Sequence, residues 1–227
     1  MSVTLSVIIV VLVMLVFGLM QLTPSVFSIF CHAMLSKKSM KKADDLMICF
    51  VLGAEFFVAA IWLLIYIVFF ALGVNAILWW VLAGAMMAAG LMFWLFYFRK
   101  SEGTELFVPK KWSKNLVLMA EKTRGRMDAF WLGFFTAVPE LVFTLPLFAV
   151  SALAVQSAAT LPRASLMIIF VIVAVAPLLT VYAMFRAGNN LADVMRLRMY
   201  FKPMVRITVP ILFLVLAILS IGIGASA

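Results

Sequence analysis

The sequence predicts an all-α integral membrane protein with six transmembrane helices, arranged as two inverted three-helix repeats. Of its 227 residues, 67% are hydrophobic and 12% are charged. Soluble domains average about 45–50% apolar and about 25% charged residues. A chain of this composition has more apolar side chains than one water-soluble core can cover. The composition therefore excludes a soluble enzyme, a disulfide scaffold and a disordered chain.

Six apolar runs have the length of a membrane-spanning helix, for which about 20 residues cross about 30 Å of hydrocarbon. They cover residues 3–35, 46–72, 76–98, 129–155, 165–185 and 204–224. The first run is longer than the apolar part of a signal peptide, so we expect it to be retained as a spanning helix. One long basic connection divides the chain into a first repeat at 1–98, a cytoplasmic loop at 99–126 and a second repeat at 127–227.

The basic residues fall on one side of this arrangement. Of the 18 Lys and Arg, 17 follow the first, third or fifth run, and Arg163 alone follows the fourth. The positive-inside rule then predicts a protein of the cell (inner) membrane with cytoplasmic basic loops and both termini outside. The net charge of +9 also favours anionic lipid as a neighbour. Nucleic acid is not an expected partner, because no basic groove with stacking aromatic residues is present.

Two proline positions indicate that the halves repeat. Pro24 follows Gly18 by six residues in the first run, and Pro139 follows Gly133 by six residues in the fourth. Proline lacks the N–H group and clashes with the carbonyl four residues back, so we expect both helices to bend or unwind. Pro177 predicts a further break in the fifth run. Runs one and four cross in opposite directions, as in many secondary transporters with inverted repeats; simple kinking without a repeat is the alternative.

Two acidic residues lie inside apolar sequence. Glu55 is nine residues into the second run and Glu140 eleven residues into the fourth, which places them about 14 Å and about 16 Å deep at 1.5 Å per residue. Intramembrane carboxyl groups mark ion and proton pathways, and burial disfavours their charged form. We interpret both as proton and cation sites, with Thr23, Ser25 and Thr136 as neighbouring polar groups. The alternative is a protonated Glu that only binds a carbonyl freed by proline.

Few residues are suited to a cofactor. Cys31 and Cys49 have no metal-binding spacing, and the chain has one His, so we interpret both thiols as small buried hydrophobic groups. No cofactor is expected, and the identity of any bound metal stays open. After the fifth run, Gly188 is expected to end that helix, and Asn189 or Asn190 to cap a short basic helix.

The fourth run carries a resemblance to a known superfamily. Residues 128–140, Asp-Ala-Phe-Trp-Leu-Gly-Phe-Phe-Thr-Ala-Val-Pro-Glu, are similar to the opening of the second half in the LysE-type exporter and DsbD/CcdA-type membrane superfamily. The layout of the whole chain also resembles that superfamily. In its thiol-electron branch a Cys adjoins the proline of both halves, whereas here no Cys adjoins Pro24 or Pro139. The resemblance therefore implies export of amino acids or metal cations rather than dithiol exchange.

The sequence favours a small multi-pass transporter over two other functions. It would export a cationic or zwitterionic solute, such as an amino acid, or a metal ion, coupled to protons through the midplane glutamates. The alternative is a non-transporting membrane subunit or assembly factor with structural glutamates. An enzyme is not expected, because no nucleophile–base pair or cofactor motif is present. A second copy of the chain or another membrane protein is left open as a partner.

Overall fold

A computed structural model describes residues 3–21, 25–37, 40–96, 110–138, 141–158, 160–188 and 190–226. Within these ranges the chain forms nine α-helices and no strand, which confirms the all-α class. The helices are α1 (Val3–Gln21), α2 (Ser25–Lys37), α3 (Met40–Leu72), α4 (Ala76–Phe96), α5 (Lys110–Lys122), α6 (Arg126–Ala137), α7 (Leu141–Gln156), α8 (Thr160–Arg186) and α9 (Leu191–Ser226).

Five single helices are long and apolar enough to cross a membrane, namely α1, α3, α4, α8 and α9. The pair α6 and α7 is bent by 82° and makes a sixth span if it crosses as one unit. The run predicted at 3–35 forms two helices, and the second, α2, has only 13 residues, fewer than a bilayer requires. Within the described residues the chain thus has five helices, or six with the bent pair, that could span a membrane, which is consistent with a multi-pass membrane protein.

The turn before α9 has the predicted capping residues. Gly188 has a φ of 89°, a left-handed conformation that favours glycine after a helix. The Asn190 Oδ1 atom accepts the N–H of Asp193 at 3.0 Å, and the Asp193 carboxylate accepts the N–H of Asn190 at 3.1 Å. This reciprocal pair confirms the N-cap at Asn190. The expected short basic helix is wrong, however, because α9 continues from this cap through the last apolar run.

Ion pairs join three helix ends at one end of the bundle, here called the basic end. Asp44 accepts hydrogen bonds from the Tyr182 hydroxyl at 3.1 Å and from Arg186 at 2.7 Å. Asp45 pairs with Arg126 at 2.6 Å. The second turn of α3, the first turn of α6 and the last turn of α8 therefore meet, and each of them adjoins a basic segment of the sequence.

Arg163 lies at the opposite end. Its guanidinium donates to the carbonyl oxygens of Ala158 at 2.8 Å and Gln156 at 2.7 Å, which satisfies acceptors at the end of α7. The Gln156 amide donates to the Phe69 carbonyl near the end of α3 at 3.1 Å. Arg163 thus lies at the end of the bundle opposite to Arg126 and Arg186, as the charge pattern predicted.

The Asp44 contacts predict a small, coupled stability effect. We expect Asp44→Asn to lower the free energy of unfolding by about 0.5–1 kcal/mol, as for partly exposed pairs, and Arg186→Gln to lower it by less. The double variant should match Asp44→Asn, because both changes remove one shared ion pair. Thermal unfolding in detergent measures these shifts, and Lys42→Gln, at an exposed position, is the control. Fully additive losses would show that the pair is not coupled.

Two hydrophobic cores are stacked along α3, which at 33 residues is about 50 Å long. The core nearer the basic end and the core nearer the opposite end contain separate sets of buried residues. Ala54 belongs to the first core and Val58 to the second. The boundary between the two cores therefore falls within a single turn of α3.

Candidate functional site

Glu55 lies at the boundary between the two cores. It follows Ala54 directly and precedes Val58 by three residues on α3. The side chain is half-buried, and its Oε1 atom is fully buried without a hydrogen-bond partner among the described residues. An unpaired buried carboxyl oxygen destabilises the protein. A proton on the carboxyl group or a bound cation would reduce this cost.

One face of α3 carries Glu55 together with two residues that contact α8. Asp44, Glu55 and Trp62 are separated by 11 and 7 residues, about three and two helical turns, so they share a face. Asp44 is bonded to Tyr182, and the Trp62 ring lies 5.8 Å from the Phe170 ring. From this periodicity we infer that Glu55 lies on the same side of α3, level with the stretch of α8 between Phe170 and Tyr182.

Pro177 occupies the middle of that stretch, but it does not break the helix. The prediction of a break there is wrong, because α8 is one helix through Pro177. Its buried ring faces Gly18 of α1, where an added Cβ would lie 4.0 Å from the ring. Gly18 of the neighbouring helix thus leaves room for the ring, and α8 continues as a helix on both sides of it. Because proline cannot donate, the carbonyl of Val173 loses its usual N–H partner.

Aromatic rings enclose the level of Glu55 on both sides along the bundle axis. The basic-end aromatic layer places Phe27 and Phe30 against Phe50, with ring centroids 4.8 Å and 5.1 Å away. The outer aromatic layer has ring centroids 5.5–6.4 Å apart and consists of Phe17, Trp62, Phe148 and Phe170. Along α3, Glu55 is about 7 Å from the Phe50 level and about 10 Å from the Trp62 level.

Trp62 is a residue whose role in the site was not predicted from the sequence. Its indole N–H donates to the Ser151 hydroxyl at 2.8 Å, and that hydroxyl donates to the Phe148 carbonyl at 2.9 Å. The ring also stacks on Tyr66 with centroids 5.6 Å apart. Trp62 is therefore held in one orientation beside α7 and α8. The available signal was its spacing of two turns from Glu55 on α3.

The close crossing of α3 and α6 fixes where Glu55 lies relative to α6. A Cβ added at Gly53 would overlap the Phe130 carbonyl, and one added at Gly133 would overlap the Phe50 carbonyl. Both helices thus carry a Phe-x-x-Gly motif, and the phenylalanine carbonyl of each motif lies against the glycine of the other helix. Small residues allow such close approach of membrane helices. Gly53 lies two residues before Glu55, so this contact fixes the position of Glu55 along the axis of α3 relative to α6.

Among the described residues, Thr136 bonds within its own helix and not to the buried Oε1 atom of Glu55. The Thr136 hydroxyl donates to the Gly133 carbonyl at 2.6 Å within α6. Ser25 begins α2, and its side chain lies outside the description. Also outside the described residues are Thr23, Pro24, Pro139 and Glu140.

The described part of the chain contains no group of three or more His, Cys, Asp or Glu residues that could hold a metal ion. Cys31 is buried as expected and Cys49 is half-buried, and both are free thiols. No protein-family model, curated protein or solved structure matches this chain.

Proposed function

We propose that this protein is a small secondary transporter that exports a cationic or zwitterionic solute, such as an amino acid, or a metal cation, in exchange for protons. The supporting observation is Glu55, whose buried Oε1 atom has no partner among the described residues and lies between two aromatic layers. A carboxyl group inside a membrane protein is a functional candidate by default. Glu140 is proposed as a second acid of the same pathway.

Glu55 couples the two fluxes because one carboxyl group cannot hold both ligands. The carboxylate binds the positive charge of the solute, and protonation of that oxygen releases the solute. A proton neutralises the carboxyl group, and a bound cationic group pairs with its charge, whereas the empty carboxylate would carry an unpaired charge in a low-dielectric site. Movement between the two sides is therefore favoured only with a proton or with a cation bound.

The two aromatic layers act as the gates. Parting of Phe27 and Phe30 from Phe50 would open Glu55 to the basic end, and parting of Trp62 from Phe170 would open it to the opposite end. Both layers are packed in the present structure, as the occluded state of such a transporter would require. The carbonyl of Val173, deprived of a donor by Pro177, is an additional ligand for an ammonium group or metal cation.

Two contacts support the proposed inverted repeat. Gly18 and Gly133 are the paired glycines of runs one and four. Gly133 packs on α3, the second span, and Gly18 packs on Pro177 in α8, the fifth. If the two repeats are exchanged, run four becomes run one and the second span becomes the fifth. The contact of Gly133 with the second span then becomes the contact of Gly18 with the fifth span. We further propose that the basic end faces the cytoplasm of a cell (inner) membrane and that both termini lie outside, following the positive-inside rule.

Flux into proteoliposomes tests this function. Purified protein is reconstituted with a pH-sensitive dye inside, and amino acids and divalent metal ions are added outside singly. We expect at least one solute to drive proton movement, and Glu55→Gln to reduce that movement at least tenfold, because the amide cannot exchange a proton. The matched control is Glu121→Gln, the same change on the exposed surface of α5, which should retain full flux.

Stability measurements separate loss of transport from loss of folding. Glu55→Gln should unfold at the same temperature as the wild type or higher, because the change removes a poorly solvated acid. Full flux in a folded Glu55→Gln variant would refute the proposed role of this acid. Absence of flux for every solute in the wild type would refute transport and favour the non-transporting subunit.

A further inference from the structure

An apolar groove follows the outer side of the seam between α4 and α9. Its volume is about 570 Å³. Its rims are exposed, with Trp94 59% and Ile207 63% accessible. Its lining is formed by Met86, Met87, Ala88, Gly90, Leu91, Trp94, Arg206, Ile207, Pro210, Ile211 and Leu214. One charged side chain, Arg206, thus lies in an otherwise apolar groove.

Small residues create this groove. Ala88 and Gly90 lack the bulk to fill the seam, and Leu91 and Ile211 stand on its two sides, each more than half exposed. A Cβ added at Gly90 would lie 2.9 Å from the Cβ of Phe213, so α4 and α9 touch closely beneath the groove. The closely packed floor and raised rims make an open apolar channel along the seam.

The part of α9 beyond Arg206 is as long as one membrane crossing. From Arg206 to Ser226, α9 has 20 residue steps, about 30 Å, which matches the hydrocarbon thickness. Trp94 lies near the corresponding end of α4, as tryptophans at membrane interfaces do. From Arg206 the groove extends to Leu214, about 12 Å along the helix. The groove is therefore shorter along α9 than half of the hydrocarbon thickness, so it can hold a lipid of a single leaflet.

We propose that this groove binds one anionic phospholipid from the leaflet at the basic end, with its phosphate at Arg206 and an acyl chain along the α4–α9 seam. Charge complementarity selects this occupant: Arg206 is exposed at the mouth, and Lys202 lies one turn earlier on α9. Basic sites between membrane helices recognise anionic headgroups in this way. The proposal does not depend on transport.

Lipid titration of the purified protein tests the site. Delipidated protein in non-ionic detergent is titrated with phosphatidylglycerol or phosphatidylcholine of identical acyl chains, and bound lipids are counted by native mass spectrometry. We expect the first lipid to bind as phosphatidylglycerol, and Arg206→Gln to weaken its affinity about fivefold, the effect of one basic residue near a membrane surface. The matched control is Arg196→Gln, an exposed arginine of α9 outside the groove, which should leave the affinity unchanged.

A filled groove provides a second readout. Ala88→Phe places a ring in the channel and should reduce binding of both lipids, whereas Ala60→Phe at an exposed position on α3 should not. Equal affinity for the two lipids in the wild type, or equal effects of Arg206→Gln and Arg196→Gln, would overturn the proposal. Dissociation of a dimer by Ala88→Phe without loss of lipid would also overturn it and assign the seam to a second copy.

Discussion

Alanine at Gly53 or Gly133 is expected to prevent stable packing of α3 against α6. In each case the new methyl group would overlap a backbone carbonyl of the facing helix, that of Phe130 or Phe50. A backbone carbonyl cannot rotate away as a side chain does, so the helices must separate. We expect each variant to lose about 3 kcal/mol or more, the upper range for overpacking, and to give little folded protein by size-exclusion chromatography in detergent.

Two other glycines provide matched controls. A Cβ added at Gly84 or Gly222 meets nothing within 4 Å. Gly84→Ala and Gly222→Ala should therefore fold at wild-type yield, with a small gain from alanine's higher helix propensity. If Gly53→Ala and Gly133→Ala also fold at wild-type yield, the close α3–α6 crossing is incorrect, and with it the position of Glu55.

Replacement of Trp62 by alanine is the second change with a large expected effect. Trp62 is 4% exposed, contacts the rings of Tyr66 and Phe170, and donates to Ser151. Its removal leaves a cavity and a hydroxyl without its donor. We expect a loss of about 3–5 kcal/mol, as for other buried aromatic residues truncated to alanine, measured by thermal unfolding in detergent.

Graded variants distinguish packing from hydrogen bonding at this position. Trp62→Phe keeps most of the ring contact but removes the N–H, so we expect a loss of about 1–2 kcal/mol. Trp94→Ala removes a ring that is 59% exposed and should cost less than Trp62→Ala. A Trp62→Ala protein as stable as Trp94→Ala would show that the outer aromatic layer is not a packed core.

Several features were predictable because they depend on composition or local chemistry. Apolar runs form helices in a bilayer because only a helix satisfies its own backbone there, so the all-α class followed from composition. The Asn190 cap with Asp193 was partly predictable because its partners are three residues apart. Arg163 was separated from the other basic residues by the order of the runs alone. The length of α9 was not predicted, because the change from a basic polar segment to an apolar run does not by itself end a helix.

The arrangement around Glu55 required the tertiary structure. The sequence determined that an acid lies deep in the second run, and that Pro177 lies in the fifth. It did not determine that the side of α3 carrying Glu55 packs toward α8, which carries Pro177. It also did not determine that Trp62 belongs to an aromatic layer on the outer side of Glu55. Helix propensity and hydropathy act within one segment, whereas these contacts depend on the rotation of each helix and on close approach at Gly53 and Gly133. Packing between helices decided these features, and it also decided that α8 continues through its proline.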